Sequence, residues 1–139
     1  MKLIPYLVFN GQAEEALNFY AAAFDGRVGD LYRYDSAPDM PGQPPVPDEF
    51  KQRVMYACLA FDGGSMSISD AMPDDKADFG KGGHMLTLYF DSVAKIEEVY
   101  ARLCVDAQEI RCKLGEAFFA KRYAEVYDRF GVLWALMVE

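Results

Sequence analysis

Histidine is nearly absent from this chain of 139 residues: His84 is the only one. A lone imidazole cannot by itself make a transition-metal centre, which needs several His, Cys or carboxylate donors. Cysteine is also scarce. Cys58, Cys104 and Cys112 are odd in number and lack CxxC spacing. That pattern favours free thiols in a reducing cytoplasm over a disulfide scaffold or a zinc site. No G-x-S-x-G turn is present to support a serine nucleophile beside the one histidine. Apolar runs long enough to cross a membrane are missing. The start, Met1-Lys2-Leu3-Ile4-Pro5, lacks the apolar core and small-residue cleavage site of a signal peptide, so the expected location is cytoplasmic. Positive charge is under-represented, with 14 Lys and Arg against 22 Asp and Glu and a formal net charge of −8. Such a chain repels phosphate backbones, which argues against nucleic acid and anionic membranes as partners.

What the chain has is apolar and aromatic material: 52% hydrophobic residues, 14% aromatic, with ten Phe and nine Tyr. This suffices for a core and leaves rings over for a lined cavity. The length suits one domain, residues 1–139, composed of a module at 1–75 and a second at 83–139.

The first module opens with an apolar run at 3–9, read as a buried strand, with Pro5 placing it at a sheet edge. Asn10-Gly11 offers a helix cap. Ala13, Ala16, Leu17, Tyr20, Ala21 and Phe24 then form one stripe on a helix over 12–24. Gly26 is expected in the left-handed position after it. Strands are expected at 27–34, 53–61 and 65–70, the last alternating Met66 and Ile68 against Ser65, Ser67 and Ser69. Between the first two of these lies a polar arm, 35–52, containing Pro38, Pro41, Pro44, Pro45 and Pro47. A connection this long in a compact domain points to a lid, a binding loop or an extended packing arm. After a linker at 71–82, a second strand–helix pair follows at 83–91 and from Ser92, with the stripe Val93, Ile96, Val99, Tyr100 and Leu103. Shorter strands or turns are expected at 107–110 and 118–127, a turn at Asp128-Arg129-Phe130-Gly131, and a last strand at 132–138.

Strand, helix and three strands, twice over, resembles the vicinal oxygen chelate superfamily of glyoxalases, bleomycin-resistance proteins and dioxygenases. Pro5-Tyr6-Leu7-Val8-Phe9-Asn10-Gly11, Ala16-Leu17-Asn18-Phe19-Tyr20, Met40-Pro41-Gly42, Val54-Met55-Tyr56-Ala57, Ser69-Asp70-Ala71-Met72-Pro73 and Asp128-Arg129-Phe130-Gly131-Val132-Leu133-Trp134 are similar to its PhnB-like branch. The resemblance implies an α+β fold of paired βαβββ modules whose mixed sheets curl around a cavity. PhnB-like proteins are often labelled 3-demethylubiquinone methyltransferases. A methyl donor usually sits at a G-x-G-x-x-G turn after a strand, and this chain has none.

Metal-dependent members of the superfamily take two ligands, typically His or Glu, from strands of each half. Laid on that pattern, the four positions fall on Pro5, Ala57, His84 and Ala135, of which only His84 has a side chain able to bind a metal. No metal and no other cofactor is therefore expected. The resemblance leaves His84 and Asp70 as candidate catalytic or ligand-contacting groups, and Tyr34, Tyr56, Tyr89 and Trp134 as candidate cavity walls. The expected function is small-molecule binding, with a cationic ligand favoured by the acidic balance and a homodimer as the assembly. The alternative is a metal-dependent lyase, isomerase or dioxygenase-type enzyme that uses His84 and completes its ligand set across a dimer.

Overall fold

A computed structural model describes residues 1–38 and 41–139. Asp39 and Met40, and with them part of the arm and of the Met40-Pro41-Gly42 block, lie outside the described residues. The chain divides into two compact units, Met1–Asp78 and Phe79–Glu139.

The first unit runs β1 (Tyr6–Phe9), α1 (Ala13–Ala23), β2 (Arg27–Arg33), β3 (Val54–Phe61) and β4 (Gly64–Asp70). Its sheet has the order β1-β4-β3-β2, with β1 parallel to β4 and the other pairs antiparallel. The second unit repeats this with β5 (Leu86–Tyr89), α2 (Val93–Leu103), β6 (Glu109–Ala117), β7 (Ala120–Tyr127) and β8 (Leu133–Val138). Its order is β5-β8-β7-β6, with β5 parallel to β8. Each unit is thus a βαβββ module with a mixed sheet, and the fold is α+β.

In the first unit the buried stripe Ala13, Ala16, Leu17, Tyr20 and Ala23 of α1 covers one face of the sheet. Leu7, Ile68 and Ala57 lie in register on that face, as do Met66 and Leu59, all buried. Burying each Leu- or Ile-sized side chain contributes about 1.5–3 kcal/mol. In the second unit α2 presents Ile96, Val99 and Leu103 to β7 and β8, and Ser92 caps it by accepting a hydrogen bond from Lys95 N at 3.2 Å.

Several local expectations are corrected. The first strand is shorter than 3–9, because Pro5 precedes the paired residues; its carbonyl still accepts from Ser67 N at 2.9 Å. The left-handed residue after α1 is Asp25, at φ 51°, not Gly26. Gly26 is favoured for a different reason: a Cβ there would stand 2.9 Å from Leu59 Cδ1 and 3.1 Å from the Ala60 carbonyl oxygen, so one of them would have to shift. The second module's short segments form a long hairpin, β6 and β7, in place of the fragments expected at 107–110 and 118–127. The arm is not extended throughout. Short 3-10 turns occupy Tyr34–Ser36 and Asp48–Phe50, and hydrogen bonds Tyr34 N–Arg53 O (3.2 Å) and Asp35 N–Lys51 O (2.9 Å) draw its ends together.

Candidate functional site

Asp70 ends β4 on the α1-covered face and is 3% exposed. Its Oδ1 accepts from Gly11 N at 2.7 Å and Ala13 N at 3.0 Å, and its Oδ2 accepts from Val54 N at 3.0 Å. The expected Asn10-Gly11 cap is absent: Gln12 stands at the N-cap position without a side-chain bond, and Asp70 supplies the acceptor from across the fold. Asn10 instead exchanges two hydrogen bonds of 2.8 Å with the backbone of Ala77. A carboxylate that holds a helix start and a strand start together does structural work. The backbone carbonyl of Asp70 in turn accepts from the Tyr34 hydroxyl at 2.8 Å. Burial pushes the Tyr34 phenol above its ordinary pKa, helped by the nearby Tyr6 and Asp70, so it stays a proton donor.

The other face of this sheet is where the aromatic side chains gather. Tyr6 pairs with Ser67, Ser67 with Cys58, and Tyr32 with Tyr56, which puts these residues on the side away from α1. Tyr6 and Tyr56 stand on β1 and β3, either side of β4, yet their ring centroids are 6.3 Å apart. The small side chains of Ser67 and Ser69, both buried, let the two rings meet over β4. Tyr32 continues the row at 6.5 Å from Tyr56. Tyr6 and Tyr32 are about half exposed. Of this row the sequence reading singled out Tyr56 and missed Tyr6 and Tyr32. The signal was the serine alternation on β4, which marks a floor of small residues between larger neighbours.

The remaining candidates lie in the second unit and are not brought together. His84 is exposed, in the segment before β5. Tyr89 is 64% exposed at the end of β5. Trp134, expected on a cavity wall, is 1% exposed and pairs with Val126 and Leu86 in the core. Its indole N–H donates to Asp128 Oδ2 at 2.8 Å, while Asp128 Oδ1 accepts from Phe130 N (2.8 Å) and Val132 N (3.1 Å). The Asp128-to-Gly131 turn is thereby locked to β8. Gly131, at φ 87°, takes the left-handed conformation this turn requires.

A polar group on the second sheet was not anticipated. The Tyr123 hydroxyl donates to Glu125 Oε1 at 2.8 Å, and Arg111 Nε lies 3.4 Å from Glu125 Oε2. Burial, and then the Glu125 carboxylate, push the Tyr123 phenol up to about 12.

A cleft of about 640 Å3 opens in the first unit between the arm and the end of the sheet. Tyr34, Met55 and Met72 form one wall, and Pro44, Pro45 and Val46 of the arm form the other.

Comparison with known proteins places this architecture. The Glyoxalase/Bleomycin resistance protein/Dioxygenase superfamily matches residues 2–136. The chain belongs to this superfamily. Within it the chain is PhnB-like. It is 28% identical over 148 residues to protein YjdN of Escherichia coli (strain K12), covering 99% of this chain and 95% of that protein. The crystal structure of protein PA1353 from Pseudomonas aeruginosa superposes with a TM-score of 0.86 at 27% identity, covering 100% of this chain and 98% of that one. The PhnB protein from Bacillus cereus gives a TM-score of 0.79 at 27% identity, with full coverage of both chains. The fosfomycin resistance protein FosX from Listeria monocytogenes, crystallised with Mn(II) and sulfate, shares the fold alone, at TM-score 0.65 and 11% identity.

The donors do not fit the metal that some glyoxalase-superfamily members carry. Pro5 has no side-chain donor, and neither Ala57 nor Ala135, both buried, has one. Ala57 also lies on the α1-covered face, so its open-face neighbours on β3 are Tyr56 and Cys58. Nearby in the first unit are neutral hydroxyls of Tyr6, Ser67 and Ser69, which are weak ligands for a divalent transition metal. Among the described residues, no three His, Cys, Asp or Glu side chains converge as a metal ion needs. Among the same residues no helix is long and apolar enough to cross a membrane.

Proposed function

We propose that this chain is a PhnB-like binding protein that holds a flat, cationic small molecule on the tyrosine-bearing face of its first unit, with no resident metal. The observation that carries this reading is the row Tyr6–Tyr56–Tyr32, at centroid spacings of 6.3 and 6.5 Å over a serine floor. Phenol faces attract a cation by their quadrupole, at about 0.5–2 kcal/mol each depending on desolvation. The net charge of −8 adds a long-range attraction for the same sign of ligand.

In this reading Tyr56 is the central contact, Asp70 holds the framework of the first unit and Trp134 that of the second, and Tyr89 and His84 are exposed groups of the second unit. The two units serve as halves of one domain spanning residues 1–139, located in the cytoplasm. The assembly is a homodimer: β2 is a sheet edge with Val28 and Tyr32 exposed along it, and open edges of this kind tend to be covered.

A thermal-shift screen of small aromatic cations, run with and without EDTA, tests the reading. Support is a ligand that raises Tm equally in both and loses its effect in Tyr56→Ala. Stabilisation that appears only with a divalent metal refutes it.

A further inference from the structure

We infer that the cleft beneath the arm is a second binding site, separate from the tyrosine row, and that it takes an uncharged aromatic molecule bearing an N–H or O–H donor. Its volume of about 640 Å3 suits a compact organic ligand. Its walls combine two thioethers, Met55 and Met72, with the arm residues Pro44, Pro45 and Val46. Thioethers are polarisable and adaptable, and they contact aromatic rings favourably. Proline faces present rigid apolar surface with little conformational entropy left to lose on binding.

The polar groups at the cleft decide the ligand's charge. Asp35 and Lys51 have opposite signs, and each already has a partner. Asp35 Oδ2 accepts from Gln52 Nε2 at 2.8 Å, and Lys51 pairs with Asp48. Asp35 also lies close enough to act on the Lys51 ammonium, so the two charges that line the cleft are one of each sign and cancel overall. Tyr34 sets the donor requirement. Its proton is committed to the Asp70 carbonyl oxygen, 2.8 Å away, so the role left to its hydroxyl oxygen toward a ligand is that of an acceptor. Burial raises the pKa of the phenol, so Tyr34 adds no charge to the cleft and serves there as a neutral acceptor for an N–H or O–H donor.

The probe for this site is N-phenylnaphthylamine, a neutral naphthalene with one N–H whose emission rises in apolar surroundings. Titration into the intact protein is expected to give a saturable increase at one site per chain. Tyr34→Phe, which deletes the acceptor, is expected to weaken binding about five-fold, the effect of one hydrogen bond. Val46→Trp, on the half-exposed arm, fills the cleft and is expected to abolish the signal with an unchanged melting curve. Tyr56→Ala is expected to bind the dye as the parent does. No saturable signal in the parent overturns the inference, as does full binding by Val46→Trp. Loss of binding in Tyr56→Ala alone also overturns it, since the dye then sits on the tyrosine row and the cleft is no site.

Discussion

The carboxylate of Asp70 accepts a hydrogen bond from the backbone N–H of Ala13, 57 residues earlier in the chain, at 3.0 Å. It thereby does for α1 what a local Ser, Asp or Asn does for most helices. The same carboxylate receives Val54 N at the start of β3, so one side chain ties together α1, β3 and β4. The same strands, β3 and β4, carry Tyr56 and the serine floor on their opposite face, in the register that pairs Ala57 with Ile68 and Cys58 with Ser67.

Replacing Asp70 with Ala is expected to cost about 3 kcal/mol or more of unfolding free energy, because buried backbone donors lose their acceptor. Asp70→Asn retains one oxygen and is expected to cost less. His84→Ala, at an exposed position, is expected to stay within about 0.5 kcal/mol of the parent. Urea denaturation of the three variants measures this ordering. An Asp70→Ala variant as stable as the parent would remove Asp70 from its structural role.

Tyr123 is expected to ionise later than an ordinary tyrosine, at about 12 rather than 10. The fold favours the neutral phenol, so the stability tied to it is complete below pH 10 and is lost as pH rises through 12. Alkaline titration of phenolate absorbance, taken as a difference against Tyr123→Phe, isolates this group. Glu125→Gln is expected to lower its midpoint without bringing it back to the ordinary value, since burial is the larger cause. A Tyr123 midpoint near 10 in the parent would contradict the assignment.

Which features were legible in sequence follows from how local their causes are. The stripes of α1 and α2 repeat at helical spacing, and the Ser65-to-Asp70 alternation declares a strand, so these elements could be read directly. The family blocks carried the two-module topology, which periodicity alone does not. The capping role of Asp70 could not be read, because its partners Gly11, Ala13 and Val54 are distant in sequence. Trp134 was misplaced for a different reason. Residues 132–138 are almost uniformly apolar, and a strand buried on both faces gives no alternation to say which side a ring takes. Tyr6 was hidden in the same way inside the apolar run at 3–9. Glu125 had a fainter signal, a carboxylate set between Ala124 and Val126 in a strand.

In assembly, the intact protein is expected to scatter light as a dimer at micromolar concentration. Replacing residues 41–47 by a short Gly-Ser link tests whether the arm causes it. A dimer that persists after the replacement assigns the contact to the sheet edges. A monomeric mass for the intact protein contradicts the proposed assembly outright.

Cation binding on the tyrosine row is measured by equilibrium titration with thioflavin T, a flat aromatic monocation. In buffered salt containing EDTA, the parent is expected to bind the dye saturably at one site per chain. Tyr6→Ala and Tyr56→Ala are expected to weaken binding about five-fold or more, while Val46→Trp in the arm cleft leaves it unchanged. Saturable binding that survives both tyrosine variants, or that vanishes when EDTA is added, would contradict a metal-free site on this face.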